Sequence, residues 1–244
     1  MRIFRSVLGL VVVATFTFSV LGQDSFQNLN FESANVQQSQ TFGFVNSTAA
    51  LPGWTIFYET NDPQVQVGYN VGAVFGVVGP LVSLMGTNTG GISSISGNFS
   101  VFLQGGEVVT VPGGGPYVPE TYLNQTGLVP ADTQSITFEA QPGTAMLLLS
   151  LNGQDVPFTA LATESDYTLY GGNIPAFAGQ VSDLEFTVGL YGTGWNLDSI
   201  NFSAQSVPEP STLTLIVAGI GLLWLPQCSS RIGLRRLAKF VSRA

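Results

Sequence analysis

Between Ser6 and Ser230 the chain has no Lys, no Arg and no His, and all 15 of its carboxylates fall in that stretch. What remains for chemistry is carboxylates, hydroxyls, amides and aromatic rings, groups that suit sugars and hard cations such as calcium. The missing residues remove whole classes of reaction. Without His there is no Ser-His-Asp or Cys-His nucleophile pair and no imidazole metal site. Without Lys or Arg there is no Schiff base and no clamp for a transferring phosphoryl group. Nucleic acid is not an expected partner, because an acidic domain repels phosphate instead of releasing its counterions.

The acids that lie close in sequence are Glu164 with Asp166 and Asp183 with Glu185. Spacing i, i+2 on a strand puts both side chains on one face, roughly 6.5 Å apart at Cα, which a glycosidase pair could use. Where every charge is acidic such pairs also arise by chance, and the sequence predicts no enzyme. Among the aromatics, Trp195 closes the Gly-rich run Tyr191-Gly192-Thr193-Gly194-Trp195, where an exposed ring could stack on a pyranose. Tyr117 and Tyr122 flank a Pro-Gly loop and could extend such a surface, whereas Trp54, heading the apolar run Thr55 to Tyr58, reads as a core residue.

These residues need a scaffold, and the composition indicates which. With 29 Gly, 17 Phe and 9% charged residues, the chain resembles an all-β extracellular domain and not a disordered stalk, which would lack the Phe. Alternation at Ile136 and Phe138, at Leu184, Phe186 and Val188, and at Ile200 and Phe202 predicts strands. Ala145 to Leu151 reads as a continuous apolar strand for the middle of a sandwich, ending at the hairpin signal Asn152-Gly153. Val111 to Pro119 and Gly171 to Pro175 read as loops, and no long segment has helical periodicity. Ten or so such strands predict an antiparallel jelly-roll sandwich over residues 23–205. The only cysteine, Cys228, lies outside it, so no disulfide supports the domain.

The seven cations sit at the two ends. Residues 1–22 read as a signal peptide: Arg2 and Arg5, an apolar run from Val7 to Val20, then cleavage before Gln23. An uncleaved anchor is the alternative. At the other end, Val207-Pro208-Glu209-Pro210-Ser211-Thr212 precedes the apolar run Leu213 to Leu225 and the basic residues from Arg231 onward. This order resembles the PEP-CTERM sorting signal of Gram-negative bacteria, over residues 206–244. The resemblance implies that Pro208, Glu209 and Pro210 are recognised by a membrane exosortase, which cuts near the motif. It also implies export across the inner membrane and transfer to the cell surface or extracellular matrix. Thirteen apolar residues reach only about 20 Å, so a span of a ~30 Å core needs residues 211–230, leaving 231–244 as a cytoplasmic tail. Pro226 and Gln227 interrupt the run, and an ordinary C-terminal anchor is the alternative. Beside a bacterial signal, the sequons at Asn46, Asn98, Asn124 and Asn201 carry little weight.

Asn28-Leu29-Asn30-Phe31-Glu32, Leu51-Pro52-Gly53-Trp54 and Leu197-Asp198-Ser199-Ile200-Asn201-Phe202 open, cross and close the domain. Together they resemble the galactose-binding-like jelly roll shared by many carbohydrate-binding modules. The resemblance implies that the first and last strands pair and that calcium, held by Glu32 and Asp198, ties them together. It also implies a ligand such as exopolysaccharide, met by Trp195, Tyr191, Tyr117 and Tyr122. The alternatives are a purely structural surface protein, or a hydrolase using the paired acids.

Overall fold

The computed structural model describes residues 25–36, 42–59, 63–72, 79–87, 92–110, 113–189 and 194–208. The expected signal peptide, Tyr191, Glu209, Pro210, the expected membrane helix and the basic tail all lie outside the described residues. The chain divides into two units, Met1–Val207 and Pro208–Ala244, and of the second only Pro208 is described. Among the described residues no helix is long and apolar enough to cross a membrane.

The first unit is built from strands: β1 (Gly43–Asn46), β2 (Thr55–Tyr58), β3 (Gln66–Tyr69), β4 (Leu81–Met85) and β5 (Ser100–Gln104). Two short strands, β6 (Val109–Thr110) and β7 (Pro116–Tyr117), pair with each other. There follow β8 (Thr121–Leu128), β9 (Ser135–Gln141), β10 (Met146–Leu151), β11 (Gln154–Asp155), β12 (Thr159–Thr163) and β13 (Thr168–Asn173). The longest, β14 (Val181–Gly189) and β15 (Trp195–Ser203), come last. Among the described residues they form an eight-stranded sheet, β1-β3-β4-β5-β15-β9-β13-β12, and a five-stranded sheet, β11-β10-β14-β8-β2.

Period-2 alternation turns one face of each sheet inward. The small sheet contributes Ile56, Leu123, Leu149, Leu184 and Phe186 to the core; the large sheet contributes Val82, Leu84, Val101, Leu103, Ile136, Phe138 and Leu197. Phe138 lies edge-on to both Phe158 and Phe186, with ring centroids 5.3 Å apart in each pair. The result is the all-β sandwich that the sequence predicts.

Several local expectations hold. Asn152 and Gly153 both have positive φ, 51° and 71°, and join β10 to β11 as a two-residue hairpin. Trp54 is a core residue, 5% exposed, with Nε1 donating to Asn28 O at 3.0 Å.

Others are corrected. The β3–β4 pair is parallel, so the large sheet is mixed. β10 is apolar along most of its length but is not buried on both faces as a mid-sandwich strand would be: Leu147, Leu149 and Leu151 are buried, while Met146 and Leu148 face outward, 50% and 36% exposed. Gly171 and Gly172 belong to β13 and not to a loop, because neighbouring chain lies too close for a side chain. A Cβ on Gly172 would come within 2.4 Å of Pro157 O. Pro116 and Tyr117 likewise form a strand, β7, inside an expected loop. The first and last strands do not pair: β1 is an edge and β15 is central, bonded to β5 and β9. The N-terminal segment reaches β15 through a main-chain bond, Ile200 N–H to Leu29 O, at 2.9 Å.

Candidate functional site

The opening motif folds as a compact turn. Asn28 and Phe31 adopt left-handed φ of 50° and 57°, and Asn28 Oδ1 accepts the Ser33 N–H at 2.9 Å. A Phe is rare in that region. Here its ring is fully buried and packs against Trp54 at 5.7 Å, which holds the backbone there. Asn28 Nδ2 also donates to Pro52 O at 3.1 Å, so the opening motif and the Pro-Gly-Trp motif brace each other.

With Phe31 pointing inward, Glu32 reaches out to a loop ahead of β5. Its Oε1 accepts the N–H groups of Asn98 (2.7 Å) and Phe99 (2.9 Å), and Oε2 accepts Asn98 Nδ2 at 2.9 Å. Gly97, at φ +59°, makes room: a Cβ there would stand 2.4 Å from Glu32 Oε1. Asp198 grips the same loop from β15. Its Oδ2 accepts the Ser96 N–H at 2.9 Å, and its Oδ1 accepts the Ser199 N–H at 2.6 Å. The structure thus brings Glu32 and Asp198 to one loop, although they come from a turn and a central strand.

Asp198 is only 1% exposed. Burial pushes its carboxyl up to about 7, against two main-chain hydrogen bonds that lower it, and the charges of Glu139 and Glu32 raise it further. Glu139 stands directly opposite Asp198 in the β9–β15 register. Its Oε2 is buried and has no hydrogen-bond partner. Sequence reasoning missed Glu139, because nothing in the alternation of β9 separates it from any other outward residue. Among the described residues no three acids are gathered closely enough to hold a metal ion by themselves. An ion here would complete its shell with main-chain and amide oxygens, as calcium does.

A second region lies on the outer face of the small sheet. Strand register aligns Leu148, Thr187, Tyr122 and Phe57 in one row across β10, β14, β8 and β2. The neighbouring row is Ser150, Glu185, Asn124 and Thr55. Tyr122 OH donates to Glu120 Oε2, and Glu120 lies over Gly189, where a Cβ would come within 2.8 Å of Glu120 Oε1. Burial, Glu120 and Glu185 together push the Tyr122 phenol up to about 12. Tyr117 is 40% exposed and donates to Glu59 Oε2 at 3.1 Å. Both phenols therefore stay protonated as donors to carboxylates. The sequence singled out Tyr117 and Tyr122 but missed Glu120, two residues away, and Phe57, Leu148 and Glu185, which only register brings near Tyr122.

Trp195 does not belong to this surface, and the expected exposed platform gives way to packing. Its ring is 8% exposed and lies edge-on to Tyr170 at 5.5 Å. Its Nε1 donates across the sandwich to Ala145 O at 2.8 Å, which occupies its polar end. The paired acids also separate. Asp183 and Glu185 share the outer face of β14 and accept Thr126 Oγ1 and Thr187 Oγ1, whereas Glu164 and Asp166 sit in the turn between β12 and β13.

No family model and no curated protein matches the sequence. Among solved structures, the chain is similar to the enzymatically active domain of bacteriophage CBA120 tailspike protein 4. That match has 14% identity and a TM-score of 0.33, and covers 70% of this chain and 21% of the tailspike chain, about a fifth of its length. It is similar also to the K1 cleaved adhesin domain of Lys-gingipain from Porphyromonas gingivalis W83. There the identity is 14% and the TM-score 0.34, over 68% of this chain and 100% of that domain. Overlaps of this depth do not define a shared activity.

Proposed function

We propose that the chain is a non-enzymatic surface or matrix protein. A PEP-CTERM signal would sort it, and its jelly-roll sandwich would bind polysaccharide through the outer face of the small sheet. The observation that carries the binding reading is the Leu148–Thr187–Tyr122–Phe57 row bordered by Glu120, Glu185 and Asn124. Apolar and aromatic side chains offer area to the C–H faces of sugar rings, and the flanking acids and amide accept or donate hydroxyl bonds. With no cation between Ser6 and Ser230, this face has no partner for a uronate or a sulfate, so neutral glycans fit it better than polyanionic ones. A glycan array with the purified protein tests the reading. Selective binding that drops at least tenfold in Tyr122→Ala supports it; no binding to any glycan returns the domain to a purely structural role.

Calcium is the cofactor that fits the other region. Asp198 and Glu32 would each offer it an oxygen, and main-chain and amide oxygens of the loop would supply the rest of its shell, since no three acids gather there among the described residues. A bound ion would supply the positive charge that these carboxylates lack.

A further inference from the structure

β15 is complete at Ser203, yet the chain stays attached to the large sheet for four residues more. Ser135 Oγ donates to Gln205 O at 2.7 Å, and the Gln205 N–H returns to Ser203 Oγ at 3.1 Å. The Asn173 side chain then takes Val207 from both sides. Its Oδ1 accepts the Val207 N–H at 2.7 Å, and its Nδ2 donates to Val207 O at 3.0 Å. Ser135 and Asn173 are register partners on β9 and β13, so the segment crosses the ends of those two strands. The Val207 side chain is buried, 8% exposed. Its seat exists because Gly171 has no side chain: a Cβ there would meet Val207 Cγ2 at 2.9 Å and Leu161 Cδ1 at 2.8 Å. Pro208 follows, exposed and without an N–H, so the pairing cannot continue.

An amide that grips both main-chain groups of one residue imitates a rung of a β ladder. Proteases bind their substrates in the same currency, as an extended strand pairing its N–H and C=O groups on either side of the bond to be cut. Those groups of Val207 are already taken. We infer that the Asn173–Val207 seat sets the limit of C-terminal processing: the bond cut to free the domain lies beyond Val207, and Asn173 is the positioning residue that protects residues 204–207. Cleavage there adds one water, leaving a carboxylate on the domain side and an amine on the departing segment. The inference rests on the sorting reading for its biological setting, but the seat itself does not.

Full-length protein in detergent micelles, digested briefly with subtilisin and weighed intact, tests the seat without any sorting enzyme. The wild-type fragment is expected to end at Pro208 or later, and the Asn173→Ala fragment to end between Ser203 and Ser206. Val207→Gly leaves every strand intact and is expected to shift the limit in the same way, which guards against a folding defect in Asn173→Ala. A wild-type fragment ending before Val207, or both variants keeping the wild-type end, overturns the inference. The mass of the protein released by the native host then separates the two readings. An end beyond Val207 supports both, and an end within 204–207 overturns the seat. Retention of the full chain sinks the sorting reading alone, because the subtilisin limit stands independently of it.

Discussion

On the outer face of the large sheet, Asp198 is 1% exposed and its carboxyl is bonded to main-chain N–H groups of a loop and of its own strand. On the outer face of the small sheet, Glu120 and Glu185 are half-buried and take their bonds from Tyr122 and Thr187 side chains. Both faces are acidic, and neither has a cation among the described residues. In the first region the acids are tied to the backbone, so their charge state is linked to whether the chain is folded. In the second they border side chains that could change without moving a strand. Residue type is shared; burial and the nature of the partner separate the two sets of acids.

The pH dependence of stability separates the two regions most sharply. The Asp198 carboxyl is raised from 3.8 to about 7, so the folded state holds its proton more tightly than the unfolded one. Its contribution is fully present below the unfolded value and is lost as pH rises through about 7. In EDTA, urea unfolding is therefore expected to show stability falling between pH 4 and pH 8 by up to about 4 kcal/mol. Asp198→Asn should flatten that slope, and Glu185→Gln should leave it alone. An unchanged slope in Asp198→Asn would mean that the buried acid is not the group responsible.

Removing the carboxylate that grips the loop comes next. Glu32→Ala leaves two main-chain N–H groups and one amide without their acceptor. It should cost about 3 kcal/mol at pH 7, whereas Tyr122→Ala, which weakens glycan binding at least tenfold on our reading, should cost about 1 kcal/mol. Equal losses from the two changes would erase the distinction between the faces.

The effect expected of calcium is a modest one. If Asp198 and Glu32 share one ion, calcium at ten times its Kd should add about 1.4 kcal/mol. The melting temperature should then rise in millimolar calcium and not in NaCl of equal ionic strength. An equal response to both salts reduces the effect to screening among fifteen carboxylates.

Much of this was legible in the sequence wherever one residue's neighbours decide its role. The Asn152-Gly153 turn, the core position of Trp54 and the alternation in β9, β14 and β15 are local facts, and local pattern exposes them. The convergence of Glu32 and Asp198 followed from family resemblance alone, since they meet through a loop that neither adjoins in sequence. Trp195 misled because a Gly-rich run looks like an open loop, while its ring turns inward against Tyr170. Gly171 and Gly172 misled for the opposite reason, being small to admit neighbouring chain and not to form a turn. Glu139 and the row around Tyr122 depend on cross-strand register, which no single strand encodes.

The place of β15 in the large sheet bears on how an exported chain would reach its destination. On the sorting reading it would be the last strand of the domain to leave a translocation channel, and it lies between β5 and β9 in the middle of the sheet. Until it arrives, β1-β3-β4-β5 and β9-β13-β12 are two separate half-sheets, with neither Asp198 nor the Trp195 bond to Ala145 in place. Non-local pairing of this kind closes slowly. On the sorting reading, the domain therefore cannot lock into its final form on the wrong side of the membrane while its tail is still being made, and the chain stays threadable until nearly all of it has crossed.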